Sequence, residues 1–168
     1  MSLTLVDSHC HLNFDSLRNN LNQVLNNAQA QAVRYMLCVS VTLEKFPEVL
    51  ALAQQHPNIF ASVGVHPDER TGRDPTAAEL VALAQDPRIV AIGETGLDYY
   101  RQHGDVSWQQ ERFRQHIRAA RTAQLPLIIH TRAASQDTIR ILKEEAAQEV
   151  GGVMHCFTED WDTAQAAL

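Results

Sequence analysis

The chain has 168 residues, 45% hydrophobic and 20% charged, an ordinary globular composition with enough apolar material for one real core. No apolar run approaches the length of a membrane span, and the N-terminus lacks the basic-then-apolar pattern of a signal peptide, so the cytosol is the expected compartment. A formal net charge of −6 argues against a protein that coats nucleic acid through bulk electrostatics. It leaves open an enzyme that holds a phosphate at a metal centre, because the metal brings its own positive charge.

In chain order the pattern alternates strand and helix. Leu3–His9 reads as a first strand, and Ser16–Ala32 as a helix with Leu17, Leu21, Val24, Leu25 and Ala28 at three-to-four spacing. Tyr35–Val41 is a continuous apolar run, as expected of a strand covered on both faces in a parallel sheet. Phe46–Gln55 is a second helix, with Pro47 tolerated in its first turn, and Phe60–Val65 a third strand. Asp74-Pro75 offers an N-cap and a first-turn proline for a helix through Leu80, Val81 and Ala84. Ile89–Ile92 is the fourth strand, and Ser107-x-x-Gln110 is a capping-box pattern for a helix through Phe113, Ile117 and Ala120. Pro126–His130 is the fifth strand, Ser135–Gln148 a helix with Ile139, Leu142 and Ala146 inward, Gly151–Phe157 the sixth strand, and Thr158–Leu168 a last helix. Such alternation implies βαβ units around a parallel sheet. There is no Gly-x-Gly-x-x-Gly and no Walker motif, so a nucleotide-binding doubly wound fold has little support.

The polar residues cluster at one end of these strands. The first gives Asp7, His9 and His11; the third, His66; the fourth, Glu94 within Gly93-Glu94-Thr95-Gly96-Leu97-Asp98; the fifth, His130 and Arg132; the sixth, His155. His9 and His11 alternate onto one face of a strand, where two imidazoles can grip one ion. Five of six strands hand a His or Glu to the same end, and in a (β/α) barrel that end carries the active site. His9 and His11 suit one metal, His130 and His155 a second, with the two oxygens of Glu94 between them. A two-metal pair with a shared acid suits hydrolysis of phosphate esters. Imidazole with carboxylate favours zinc, manganese or similar ions, with magnesium less natural. Asp7 competes evenly between ligation and a supporting hydrogen bond. His56, His103 and His116 read as surface residues, and Cys10, Cys38 and Cys156 as reduced, mostly buried thiols.

The blocks Asp7-Ser8-His9-Cys10-His11-Leu12, Gly64-Val65-His66-Pro67, Gly93 to Tyr100, Pro126-x-Ile128-x-His130-Thr131-Arg132 and Gly152-Val153-x-His155-Cys156-Phe157-Thr158 occur in order across essentially the whole chain. In this they resemble the TatD-type metal-dependent deoxyribonucleases, and look most like their bacterial YcfH-like branch. The resemblance implies an α/β fold, a TIM-type (β/α) barrel of the amidohydrolase superfamily, with about six of eight strands present in 168 residues. It implies two divalent ions (Zn, Mn or Mg), held by His9 and His11 on one side, by His130 and His155 on the other, and bridged by Glu94. Catalytic roles fall to Glu94 and His66, with His66 facing the substrate phosphate and Arg132 meeting a phosphate oxygen. DNA, as ends or single strands, is the implied substrate, and no membrane is involved.

A full eight-stranded barrel takes about 200 residues or more. Residues 1–168 are accordingly expected to form one barrel domain cut short before strands 7 and 8, without the family's aspartate on the eighth strand. A six-stranded sheet has two open edges, so these residues are expected to belong to a larger body or to assemble through those edges. Two other functions compete. One is an amidohydrolase acting on a small-molecule amide, lactone or ester, although no lysine matches the position of Glu94. The other is a non-catalytic metal-binding module.

Overall fold

The computed structural model describes residues 3–168. Strands and helices alternate as β1 Leu5–Cys10, α1 Asp15–Arg18, α2 Leu21–Ala30, β2 Val33–Cys38, α3 Phe46–Gln55, β3 Ile59–Val63, α4 Ala77–Leu83, β4 Ile89–Asp98, α5 Ser107–Ala123, β5 Leu127–Arg132, α6 Ser135–Glu144, β6 Gly152–Met154 and α7 Trp161–Ala167. The strands pair in chain order, β1-β2-β3-β4-β5-β6, every pair parallel. These are the βαβ units and parallel sheet that the alternation predicts, in the half-barrel form of the TIM-type architecture that the resemblance implies, with β1 and β6 as the outer strands. The sheet curls far enough that His9, at the end of β1, stacks on His155, just past β6, with ring centroids 3.4 Å apart.

The two faces of the sheet differ in kind. The helix side holds the main core, where Met36, Ile59, Val63, Ile92, Leu127 and Ile129 meet Phe46, Leu80, Phe113, Ile117 and Ile141 from the helices. Each such side chain, fully buried, contributes roughly 2 kcal/mol. The inner side carries only a small cluster of Val39, Ala91 and Ile128, with Leu37 against it. Strand alternation places His130 on the inner side with Ile128.

Glu94 departs from simple alternation. Two residues from Ile92, it should share the helix-side face, yet its carboxylate lies among the histidines. The register of β4 against β5 shifts between Ile92 and Thr95, and Gly93 within that shift has φ +147°. A Cβ at Gly93 would lie 2.7 Å from the Ile128 carbonyl oxygen, so only glycine lets the strand turn its acid inward there.

Several boundaries differ from expectation. The helix expected over Ser16–Ala32 is two, α1 and α2, with Asn20 between them outside helical geometry (φ −127°, ψ 29°). The five apolar residues that marked this helix do pack against the core. The cap of α4 is Thr76, whose hydroxyl accepts from the Glu79 N–H at 3.2 Å, while Asp74 is taken by Arg112. Ser107 lies inside α5 and donates to Asp105, so the capping box does not form. The α6 helix ends at Glu144, with Ala146 at φ +54°; its fully buried residues are Thr138 and Ile141, Leu142 packs against the core as expected, and Ile139 and Ala146 do not join it. The β6 strand is only three residues long, and β4 runs six residues beyond the predicted Ile92, to Asp98.

Candidate metal centre

At the C-terminal ends of the strands, His9, His11, His66, Glu94, His130 and His155 converge. The ligand atoms of His9, His11 and Glu94 lie within 4.8 Å of one another, as do those of His66, Glu94 and His130. Glu94 is the shared member, with Oε2 3.3 Å from His9 Nε2 and Oε1 3.3 Å from His130 Nδ1. His66 Nε2 is 3.8 Å from the same Oε1. His155 is in neither cluster and instead lies flat against His9. Asp7 is exposed and accepts the His9 backbone N–H at 3.1 Å.

Hydrogen bonds place the ring proton of His11 and His66. His11 Nδ1 lies 3.1 Å from the Val39 carbonyl oxygen; a carbonyl only accepts, so Nδ1 carries the proton and Nε2 stays open. His130 lies between two acceptors, with Nε2 3.1 Å from Asp98 Oδ2 and Nδ1 3.3 Å from Glu94 Oε1, an arrangement that favours the charged ring; Asp98 holds Nε2, and Nδ1 is the nitrogen turned into the cluster. His66 is the opposite case. Its Nδ1 accepts from the Asp68 N–H at 3.1 Å, so in the neutral ring the proton sits on Nε2, the atom that faces Glu94. Both nitrogens of His9 are buried without an aligned hydrogen-bond partner among the described residues. Buried polar atoms are nearly always satisfied, so an orphaned imidazole beside a carboxylate is what a cation site looks like. The donor set, imidazole nitrogen with carboxylate oxygen, fits a first-row divalent ion.

The electrostatics agree. Burial acts to raise the Glu94 carboxyl, but its contacts with His130 and His9, and the nearby His66, outweigh burial and hold it well below the ordinary carboxylate range. Burial pulls His11, His66 and His155 down, toward the neutral form that binds metal or donates a proton. For His130, burial is overcome by Glu94 and Asp98, and the ring is raised.

Arg132 lies on the exposed rim beside His130. Its guanidinium carbon is 3.9 Å from the centre of the Tyr100 ring, and Tyr100 is also exposed. Cys38 is buried, Cys10 half-buried with burial pushing its thiol up, and Cys156 exposed, so the expectation of buried thiols fails for Cys156; all three are free.

His116 corrects a second expectation. It is not on the surface but fully buried on α5, where Nε2 accepts the Val65 N–H at 3.0 Å and Nδ1 donates to the Arg112 carbonyl at 2.8 Å. Arg112, one turn earlier and 4% exposed, donates to the carbonyls of His66 and Glu69 at 3.0 and 2.7 Å. Gln109 and Asp98 are also buried. None of these four stood out as functional in the sequence. The available signal was the spacing of Gln109, Arg112 and His116, which puts them on one face with Phe113, Ile117 and Ala120.

The profile of the TatD related DNase family matches residues 6–168. The uncharacterized metal-dependent hydrolase YcfH of Escherichia coli K12 is 44% identical over 168 residues, covering 98% of this chain and 63% of that protein. The 3'-5' ssDNA/RNA exonuclease TatD of Cronobacter turicensis is 34% identical over 148 residues, 88% of this chain and 56% of that protein. Among solved structures, YJJV of Escherichia coli K12, a TatD homolog, superposes with a TM-score of 0.87 at 27% identity, over 97% of this chain and 64% of that one. The chain thus spans 63% of the length of curated relatives such as YcfH.

Proposed function

The chain belongs to the TatD related DNase family, and from that premise we propose that it carries the metal-binding heart of a phosphodiesterase that hydrolyses DNA. The observation that carries this reading is the division of labour among the histidines. His9 has no hydrogen-bond partner for either nitrogen and His11 has an open Nε2 on one side of the low-pKa carboxylate of Glu94, His130 turns Nδ1 to it on the other with Nε2 held by Asp98, and His66 presents an N–H. His9 and His11 with Glu94 would hold one divalent ion, and His130, with His155 and the other oxygen of Glu94, would hold a second. When bound, such ions supply Lewis acidity: they lower the pKa of water and offset charge on phosphoryl oxygens.

The remaining steps belong to the chain itself. Neutral His66 offers its Nε2–H to a phosphate oxygen, a donor role that its Asp68 contact favours over ligation. Arg132, exposed beside the site, meets a phosphate oxygen, where a planar guanidinium can bind in bidentate fashion. The exposed ring of Tyr100 under that guanidinium offers a face to an unpaired base, which favours single strands and ends over duplex.

The test is cleavage of an end-labelled single-stranded oligonucleotide by protein stripped of metal and then supplied with manganese or zinc. Metal-dependent shortening, lost in Glu94→Gln, is expected. Metal binding with turnover of a simple lactone and none of DNA overturns the assignment in favour of a small-molecule hydrolase. Binding with no turnover of either leaves a metal-binding module.

A further inference from the structure

We propose that Asp98 is a positioning residue that sets the tautomer and aim of His130, and that Gln109 holds Asp98 in place to do so. The inference rests on the reading of His130 as a metal ligand and adds a residue to it.

The β3 strand pairs with β4 only as far as Val63 with Ile92, so the last residues of β4 lack a strand neighbour on that side. Gln109 supplies one. Its Oε1 accepts the Asp98 N–H at 2.9 Å, and its Nε2 donates to the Asp98 carbonyl at 2.9 Å. A single side-chain amide thus makes both bonds that a peptide on an adjacent strand would make, and Gln109 is fully buried. On the other side Asp98 is in register with Arg132 of β5, whose carbonyl accepts the Tyr99 N–H at 2.9 Å. The Asp98 backbone is therefore pinned from both sides.

The carboxylate is divided in the same way. Oδ1 accepts the Tyr100 N–H at 3.0 Å, and Oδ2 faces His130 Nε2 at 3.1 Å. With Oδ1 engaged, the carboxyl cannot rotate without losing a backbone bond. Oδ2 then holds the proton on Nε2, so that Nδ1, 3.3 Å from Glu94 Oε1, is the nitrogen that would give up its proton to ligate a cation. Without that acceptor an imidazole ring is free to flip or to carry its proton on the ligating nitrogen. Carboxylates behind metal-bound histidines act in this way, and their loss typically weakens metal binding 10- to 100-fold.

Asp98→Asn gives a sharp test. The Tyr100 N–H still requires an acceptor, so the amide oxygen takes that place and the NH2 group faces His130, which reverses the tautomer. Histidine-selective 15N labelling and long-range 1H–15N correlation reads the tautomer directly, at about pH 9 where imidazoles are neutral, on metal-free Glu94→Ala protein, which removes the second acceptor at Nδ1. Expected results are Nε2–H at His130 with Asp98 present, Nδ1–H when Asp98→Asn is added, and, in the chain with Glu94 intact, manganese or zinc binding weakened 10- to 100-fold by Asp98→Asn in calorimetry. Gln109→Met, which removes the clamp but keeps the carboxylate, is expected to give a mixed tautomer and a smaller loss of affinity. An Nδ1–H tautomer in Glu94→Ala with Asp98 present overturns the proposal, and so does an Asp98→Asn protein with unchanged tautomer and affinity. If the wild type binds no divalent ion, the metal reading fails, while the tautomer measurement still judges Asp98.

Discussion

His116 makes the stability of this chain depend on pH in a window that can be worked out beforehand. It is fully buried, and burial pushes its pKa down to about 4. In the unfolded chain an imidazole titrates near 6.5. A depressed histidine contributes stability above the unfolded pKa and loses it as pH falls, because the unfolded chain takes up a proton that the folded one refuses. A gap of about 2.5 units corresponds to about 3 kcal/mol, of which about 2 kcal/mol is already gone near pH 5. The control is His116→Gln, whose amide can still accept from the Val65 N–H and donate to the Arg112 carbonyl but does not titrate. Urea denaturation followed by tryptophan fluorescence, from about pH 7 to about pH 4, gives both curves. The other acids and histidines contribute equally to each protein, so the difference between them isolates His116. The variant should lose ground at pH 7 through imperfect packing and regain about 2–3 kcal/mol relative to wild type by pH 4. A difference that stays flat across this range refutes the claim that His116 is held neutral by burial.

Gly96 has φ +129°, and a Cβ there would collide with the His130 carbonyl oxygen, so Gly96→Ala should cost about 3 kcal/mol or more and lower the thermal midpoint accordingly. Arg112→Ala strips the donors from the carbonyls of His66 and Glu69 and should destabilise by about 3 kcal/mol in chemical denaturation. Chelation of a protein previously held at about 100 times the metal Kd should remove about 2.7 kcal/mol and lower the melting midpoint by about 5–10 °C in calorimetry. Glu94→Gln removes the acid that raises His130, so the His130 ring should titrate at lower pH by NMR in the metal-free protein.

The strands were legible because a strand covered on both faces leaves an uninterrupted apolar run, and Phe46–Gln55 because its period and its proline agree. The candidate ligands were legible for a related reason: in a barrel, function collects where strands end, and a histidine after an apolar run is conspicuous. What could not be read was which polar residue finds a partner. Asp74 looks as good a cap as Thr76 until Arg112 claims it. Glu94 sits at the wrong parity until the register shift at Gly93 is seen. His116 reads as solvent-facing because a polar residue on a helix usually is, and only the unpaired Val65 N–H makes its burial favourable.

The buried polar face of α5 brings these points together. Gln109, Arg112 and His116 occupy the helix face that Phe113, Ile117 and Ala120 use to enter the core. Filling that face with apolar side chains of similar volume would often be neutral or stabilising for an isolated helix pair, since buried polar groups recover their desolvation only with full hydrogen bonding. Beside its apolar contacts the helix also meets irregular backbone. The short β3 stops at Val63, the long β4 continues to Asp98, and the start of the segment that follows β3, with the end of β4, has backbone N–H and C=O groups that no strand neighbour pairs. Each polar residue of α5 answers some of them: His116 the Val65 N–H, Arg112 the carbonyls of His66 and Glu69, Gln109 both groups of Asp98. Those contacts are next to the two histidines whose proton placement decides the chemistry, so an apolar replacement on this face would leave unpaired groups beside His66 and His130. The outer helix thereby fixes the inner site, so losses on this face of α5 should register in metal affinity as well as in stability.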